Sequence, residues 1–307
     1  MNIQNIMSEI KEGQKKYFSS RISGNEMLQE VKKKILSNVD LIAKAYELDA
    51  SEEFLTSKLN AQFELDDTVS LDNFQSDTFK NEFGKVTNLY VPYGVLGLAS
   101  DCNLYTTLRI ILLAIYTKNG LVIDVTKNVG SIFLIVEMIH DTFSQLGLDN
   151  IIATYHHEAG ERLENTEELD GMIYIGKKAN AERIRIAFGK KVIYSGCGNY
   201  ELYVEDNLDS HLLEQASHMR NIKIFAKEGV AVGQEVSDLE EAIARINESG
   251  NEYGVSIITE SRENAKIFVN AIKARNVLVN ALPTIVGDKL DIMPLDLMYQ
   301  KSVLVYD

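Results

Sequence analysis

VIYSGCGNYELYVEDNLD, Val192–Asp209, is the stretch whose reading decides the fold. It begins as a short β-branched run, breaks at Gly196 and Gly198, and resumes as Tyr200–Asp206 with alternating side chains. Two such runs around a glycine pair read as strand, turn and strand, with a helix starting near Asn207. Upstream, Val95–Ser100, Leu121–Val125, Ile151–Tyr155 and Met172–Ile175 are apolar runs of strand length. Between them Asn103–Lys118, Val129–Leu146 and Ala179–Phe188 carry helical spacing, and Gly147 is a natural C-cap. Glu161–Leu169 reads as a short acidic helix. Strands separated by helices of this length form right-handed βαβ units around a parallel sheet. Continuous apolar strands fit a sheet covered by helices on both faces.

Downstream lies a shorter set of the same kind. Asn207–Met219 reads as a helix, Ile222–Ala226 as a strand, and Val236–Asn247 as a helix capped by Ser237. Val255–Thr259, Arg262–Ala274 and Val277–Asn280 make a further β–α–β run, and Val303–Tyr306 a last short strand. The N-terminal side differs. Met1–Ser20 is polar and weakly periodic, which predicts a loosely attached helix. Ser23 and Glu26 are spaced as a capping box, and the apolar stripe behind them runs as one helix to about Leu48. A second helix comes after Ser51, then a polar loop over Leu65–Lys80. Lys85–Val91 alternates as an edge strand or hairpin closed by Pro92. The expected divisions are 1–205, an N-terminal helical and dinucleotide-binding-like α/β domain; 206–285, a reduced second α/β lobe; and 286–307, a tail with an oligomerisation strand.

A net charge of −14 and a pI near 4.9 give a surface that repels nucleic acid and anionic membranes. The richest apolar stretch, Leu108–Tyr116, is too short to span a bilayer and contains Arg109. Two cysteines, Cys102 and Cys197, make no disulfide framework, and no signal peptide is evident at the start. The expectation is a cytoplasmic protein.

Parallel sheets bind ligands beyond the carboxyl ends of their strands. The turns there are Ser100–Asn103, Thr126–Gly130, Gly176–Asn180 and Ser195–Asn199, and none is a GxGxxG fingerprint or a P-loop. Gly176, Lys177 and Lys178 open a helix and could hold an anion on backbone amides and ammonium groups; two solvated surface lysines are the plainer reading. His156 and His157 point to opposite sides of a strand end. His211 and His218 share a helix face without a third ligand, so no metal site is expected. Cys197, between two glycines after a strand, is either an exposed nucleophile or a small buried hydrophobe.

Four segments together resemble the aldehyde dehydrogenase superfamily, closest to γ-glutamyl phosphate reductase. VPYGVLGL (Val91–Leu98) is similar to the P-x-GV-x-G-x strand that enters the cofactor domain. SGCGNYELYVEDNLD (Ser195–Asp209) is similar to the TG-x-GN-x-x-x-YVD-x-x-AD segment. VSDLEEAIARIN with YGVSIITES-x-x-NA (Val236–Ala265) resembles the late S-x-DEAI helix together with the strand and helix after it. VLVNALPT (Val277–Thr284) resembles V-x-VNAS, and LDLMYQKSVLVYD the C-terminal tail. The resemblance implies an aldehyde-dehydrogenase-like α/β fold: a Rossmann-type parallel sheet with helices on both faces and a reduced second α/β lobe.

It also implies an NAD(P) site at the sheet edge, with Gly176, Lys177, Lys178, Ser195 and Gly196 as its residues here. Asn103 falls near the oxyanion asparagine of the family. The departures concern chemistry. The long stretch that holds the family's nucleophilic cysteine is replaced by Ser210–Val236, which has no cysteine. Tyr194 stands where a glutamate precedes the glycine turn, and Val125 where a basic residue helps to hold the nucleotide. Two readings are open. One is a degenerate, non-catalytic relative that binds a metabolite, a nucleotide or another subunit. The other is an NAD(P)-dependent oxidoreductase reducing an acyl phosphate or other activated acyl group, with Cys197 as nucleophile and Asn103 as oxyanion donor. Family members pair through a hairpin before the cofactor domain and a C-terminal strand, which implies a homodimer using Lys85–Val91 and Ser302–Tyr306.

Overall fold

Three sheets hold the strands that the computed structural model describes; described are residues 3–46, 52–63, 75–81, 84–100, 104–126, 129–156, 162–196, 200–205, 222–230, 233–249, 254–274, 276–282 and 292–305. The chain divides into two compact units. One comprises Met1–Ile175, Asn180–Ser195 and Leu290–Asp307; the other comprises Gly176–Ala179 and Gly196–Lys289.

The first unit is built on a five-stranded sheet of order β5-β4-β3-β6-β7. Its strands are β3 (Val95–Ser100), β4 (Gly120–Asp124), β5 (Ile152–Tyr155), β6 (Gly171–Gly176) and β7 (Val192–Gly196). β3 runs parallel to both its neighbours, with Leu98 opposite Ile123 and Ile173, and β4 runs parallel to β5. The crossovers are α5 (Leu104–Tyr116), α6 (Val129–Gln145) and α7 (Lys178–Phe188). Leu96, Leu98, Leu121, Val122, Met172 and Ile173 are all buried, as strands covered on two faces require. A 3-10 turn at Leu163–Asn165 replaces the expected acidic helix; there Glu164 is buried and paired with Arg183 at 2.7 Å and Arg162 at 3.6 Å.

The N-terminal helix α1 (Ile3–Ser19) is firmly docked, not loosely attached. Ile6, Met7, Ile10 and Tyr17 are buried. Gly13 lets the helix approach so closely that an added Cβ would lie 2.0 Å from the Asn150 carbonyl oxygen. Tyr17 sits edge-on to Phe143 at 5.2 Å and donates its hydroxyl to the Ile115 carbonyl at 3.1 Å. Lys118, at φ 57°, donates its ammonium group to the Tyr17 and Ser20 carbonyls and lies 5.0 Å from the Tyr17 ring. It thereby adds a charged donor at the end of α1, where the Tyr17 carbonyl also accepts from Ser20 N and Oγ. Burial pushes the Lys118 pKa down, against the pull of Glu26.

The capping box forms as read: Ser23 Oγ accepts from Glu26 N, and the Glu26 carboxylate accepts from Ser23 N. The single helix expected after it is two, α2 (Gly24–Leu36) and α3 (Val39–Ala45). The apolar stripe carries on through Val31, Ile35, Val39 and Ile42. The break comes from Ser37 and Asn38, whose side chains donate to the Lys33 and Lys34 carbonyls in competition with the helix ladder. Helix α4 spans Glu52–Gln62. β1 (Gln75–Asn81) falls where a loop was expected. It pairs antiparallel with β2 (Gly84–Pro92) as a hairpin, the second of the two expected forms; β2 is a central strand and not an edge, because β13 (Met298–Val305) pairs along its other side.

The second unit carries a parallel sheet of order β10-β9-β8-β11-β12. Its strands are β8 (Tyr200–Val204), β9 (Ile222–Lys227), β10 (Gln234–Val236), β11 (Gly254–Ile258) and β12 (Asn276–Val279). Two helices cross over, α8 (Leu239–Ser249) and α9 (Arg262–Ala271). Tyr203, Phe225, Val236, Ile246, Ile257 and Phe268 form the core on one face. α8 begins later than expected and its cap is Asp238, which accepts from Glu241 N at 2.8 Å; Ser237 instead donates to the Glu241 carboxylate. The helix expected over Asn207–Met219 lies outside the described residues.

Asn119 ties the first unit together. Fully buried in the turn before β4, it accepts from Gly94 N at 3.0 Å and donates to Thr117 Oγ1 and to the Leu297 carbonyl at 2.9 Å. Asn119→Ala leaves Gly94 N–H, at the entry to β3, and the Leu297 carbonyl, just before β13, without this partner. We expect a loss of about 3 kcal/mol, read as a lower urea midpoint with unchanged slope. A change within about 0.5 kcal/mol would show that water replaces the amide there.

Candidate site at the carboxyl edges of the sheets

Because β3, β4, β5 and β6 are parallel, their carboxyl ends share one edge of the first sheet. Ser100, Asp124, Tyr155 and Gly176 are the last strand residues there, and β7, the neighbour of β6, ends at Ser195 and Gly196. Gly176 is buried, whereas Lys177 and Lys178 are exposed, with Lys178 the first residue of α7. A helix start flanked by two ammonium groups can hold an anion. Ser195 is buried at the end of β7. Asn103 and Cys197 lie outside the described residues, as do Cys102, His157, His211 and His218.

Val125 comes directly after β4 and is 1% exposed; its N–H donates to the Tyr155 carbonyl at 3.1 Å. Its own carbonyl faces His156 Nδ1 at 3.4 Å. This position is filled by apolar packing and backbone pairing. Tyr194 is partly buried and packs against the core, stacked on Tyr174 with ring centroids 6.3 Å apart. Among the described residues no three His, Cys, Asp or Glu side chains are placed to hold a metal ion.

The second sheet has a polar cluster at its own carboxyl edge that periodicity did not reveal. Glu205 comes directly after β8 and is 8% exposed, with its N–H donating to the Ile258 carbonyl at 2.9 Å. Its carboxylate accepts from Thr259 Oγ1 and from Asn264 Nδ2 at 2.7 Å, with Lys227 Nζ 3.9 Å away. Asn280, at φ 54°, accepts from Thr259 N and returns a hydrogen bond to the Thr259 carbonyl. Glu205, Lys227, Thr259 and Asn280 all sit at or just past the ends of β8, β9, β11 and β12. That shared offset is the signal the sequence offered. A carboxylate with two donors and a nearby cation is satisfied in place, and it joins the end of β8 to the end of β11 and the start of α9.

No protein-family model matches the chain. It is 22% identical to γ-glutamyl phosphate reductase of Clostridium perfringens, over 86% of this chain and 84% of that protein. The alignment runs over 347 positions, more than the 307 residues of this chain, so the relative carries sequence without a counterpart here. Among solved structures, γ-glutamyl phosphate reductase from Thermotoga maritima matches with a TM-score of 0.62 at 17% identity, covering 100% of this chain and 99% of that one. A propionaldehyde dehydrogenase from Clostridium phytofermentans matches with a TM-score of 0.73 at 11% identity, covering 99% and 97%. An engineered glycolyl-CoA reductase with bound NADP+ matches with a TM-score of 0.72 at 12% identity, again covering 99% and 97%. The fold is aldehyde-dehydrogenase-like, and in sequence the chain resembles γ-glutamyl phosphate reductase. Among the described residues no helix is long and apolar enough to cross a membrane.

Proposed function

We propose that this chain is a non-catalytic relative of γ-glutamyl phosphate reductase that acts by binding: an anionic ligand at the start of α7, and a second copy of itself through β13. The observation that carries the reading is Val125. Where the resemblance places a basic residue for the nucleotide, an apolar side chain is packed at 1% exposure with its carbonyl facing His156. Two further features support it. Tyr194 takes the place of a glutamate and is stacked on Tyr174. The interval Ser210–Val236 has no cysteine, so the position from which the family's thiolate starts a thiohemiacetal and thioester route has no counterpart in it. Reduction through Cys197 with NAD(P) is the competing reading. Its support is the position of that cysteine, between glycines after β7.

The pairing half rests on β13. Eight residues long, it uses one side against β2, and Tyr299 and Leu304 are exposed on it. Gln300, Lys301 and Ser302 are exposed between these two apolar residues; an unpaired edge of this length is still a template for another strand, and a twofold contact needs only one self-complementary patch.

Titration calorimetry with NAD and NADP tests the binding half. The reading predicts a Kd weaker than about 1 mM for both. Micromolar affinity would contradict it; if that affinity disappeared in the Lys177→Ala/Lys178→Ala double variant, the start of α7 would be a dinucleotide site after all. For the pairing half, light scattering should give a dimer for the full chain and a monomer for Leu304→Lys or for a chain ending at Gln300. A monomeric full chain, or variants that stay dimeric, would take β13 out of the interface.

A further inference from the structure

A cleft of about 490 Å³ opens in the first unit along the outer side of β5, where no further strand pairs among the described residues. Its walls are α1, through Ile6, Glu9, Ile10 and Glu12, and α6 with the turn after it, through His140, Ser144, Leu148 and Asp149. Ile152, Ala153 and Thr154 of β5 form the third side. The volume is that of a ligand pocket, but its open, strand-lined shape is that of a groove for extended chain.

The peptide groups of β5 decide what the groove can take. In a parallel pair, alternate residues turn both N–H and C=O to the same neighbour. Leu121 N donates to the Ile151 carbonyl and Val125 N to the Tyr155 carbonyl, so the odd-numbered residues of this stretch face β4. Ile152 and Thr154 therefore face the cleft. The Ile152 carbonyl already accepts from His140 Nε2 at 2.7 Å, which fixes that nitrogen as the protonated one. Thr154 presents its N–H and C=O with no partner among the described residues, in a cleft whose half-buried apolar lining is Leu148 and Ala153, with Ile6 and Ile10 almost wholly buried beside them. An edge like this is ordinarily covered or guarded by charge. Here the charges that line the cleft are all of one sign, and the nearby Lys16 is held by Asp149. Glu9 and Glu12 are on the rim, and the whole chain carries −14.

We propose that this groove docks a short extended segment of a partner protein that carries lysine or arginine beside apolar residues. The segment would add a strand to β5 through Thr154. Its apolar side chains would lie on Leu148 and Ala153, and its cation would reach Glu9 and Glu12. Such an arrangement draws affinity from main-chain hydrogen bonds and selectivity from alternate side chains. This groove is independent of the strand-end site and of whatever binds there.

The test is fluorescence anisotropy of the full chain with a labelled hexapeptide alternating valine and lysine, its valine–glutamate counterpart, and lysinamide as competitor. The basic peptide should bind saturably and weaken with salt. Binding should fall about tenfold or more in Glu9→Gln/Glu12→Gln and in Thr154→Pro, which deletes the outward N–H. The charge variant keeps the test sound if Thr154→Pro does not fold. Equal binding of the acidic peptide, or none of either, would overturn the proposal. So would affinity unchanged in the charge variant. Lysinamide competing at the same concentration as the peptide would make the cleft a small-amine pocket. Binding that only displaces a second copy of the chain would make it a self-interface. Either result refutes docking of a partner strand.

Discussion

The first unit depends on how a buried polar side chain closes the amino edge of its sheet. Asn119 has no access to solvent, so each of its hydrogen bonds must be met by protein. It meets them by joining three places: Gly94 before β3, Thr117 after α5, and Leu297 before β13. Asp170 reinforces the same end, accepting from Val95 N and donating its own N–H to the Val95 carbonyl, each at 2.8 Å. With the amino edge held in this way, β3 and its neighbours are fixed in register, and the residues at the carboxyl edge inherit their positions. Lys118, adjacent in the chain, secures α1 by the same logic, using a charge as the donor to carbonyls in place of an amide.

Much of this architecture was legible because it rests on repeating patterns. Apolar strands, amphipathic crossovers and the Ser23–Glu26 capping box are local signals, and they appear where the sequence put them. What escaped was set by single contacts. The docking of α1 turns on Gly13 against the Asn150 carbonyl, a close approach that leaves no periodic trace. The break between α2 and α3 lies inside an unbroken apolar stripe and comes from two short polar side chains bonding back to the helix. β1 is polar (QSDTFKN), and its strand state is set by its partner β2, not by its own propensity.

The candidate site was legible in a different way. Val125 and Tyr194 draw meaning from resemblance to a family, and the structure adds how they are accommodated: one sealed by backbone pairing, the other stacked on Tyr174. Glu205 was invisible as a functional residue because a lone glutamate after a strand reads as solvent-exposed. Only when β8, β11 and β12 are aligned do Thr259 and Asn264 converge on it, with Asn280 bracing Thr259 from the other side. Polar residues at the ends of successive parallel strands are thus used here to tie those ends together, in places where related folds can hold ligands.

If, as proposed above, the fold is kept while its thiol chemistry is lost, the chain should fail at the covalent step. The most direct measurement is intact-protein mass spectrometry after incubating the full chain with acetyl phosphate, a small acyl-phosphate probe, with and without NADPH. The account predicts an unmodified mass at every time point, for the chain as it stands and for Cys197→Ser alike. A hydroxylamine-labile acetyl adduct that forms on the chain, is absent from Cys197→Ser and is discharged by NADPH would contradict it, and would establish this protein as a working acyl-phosphate reductase.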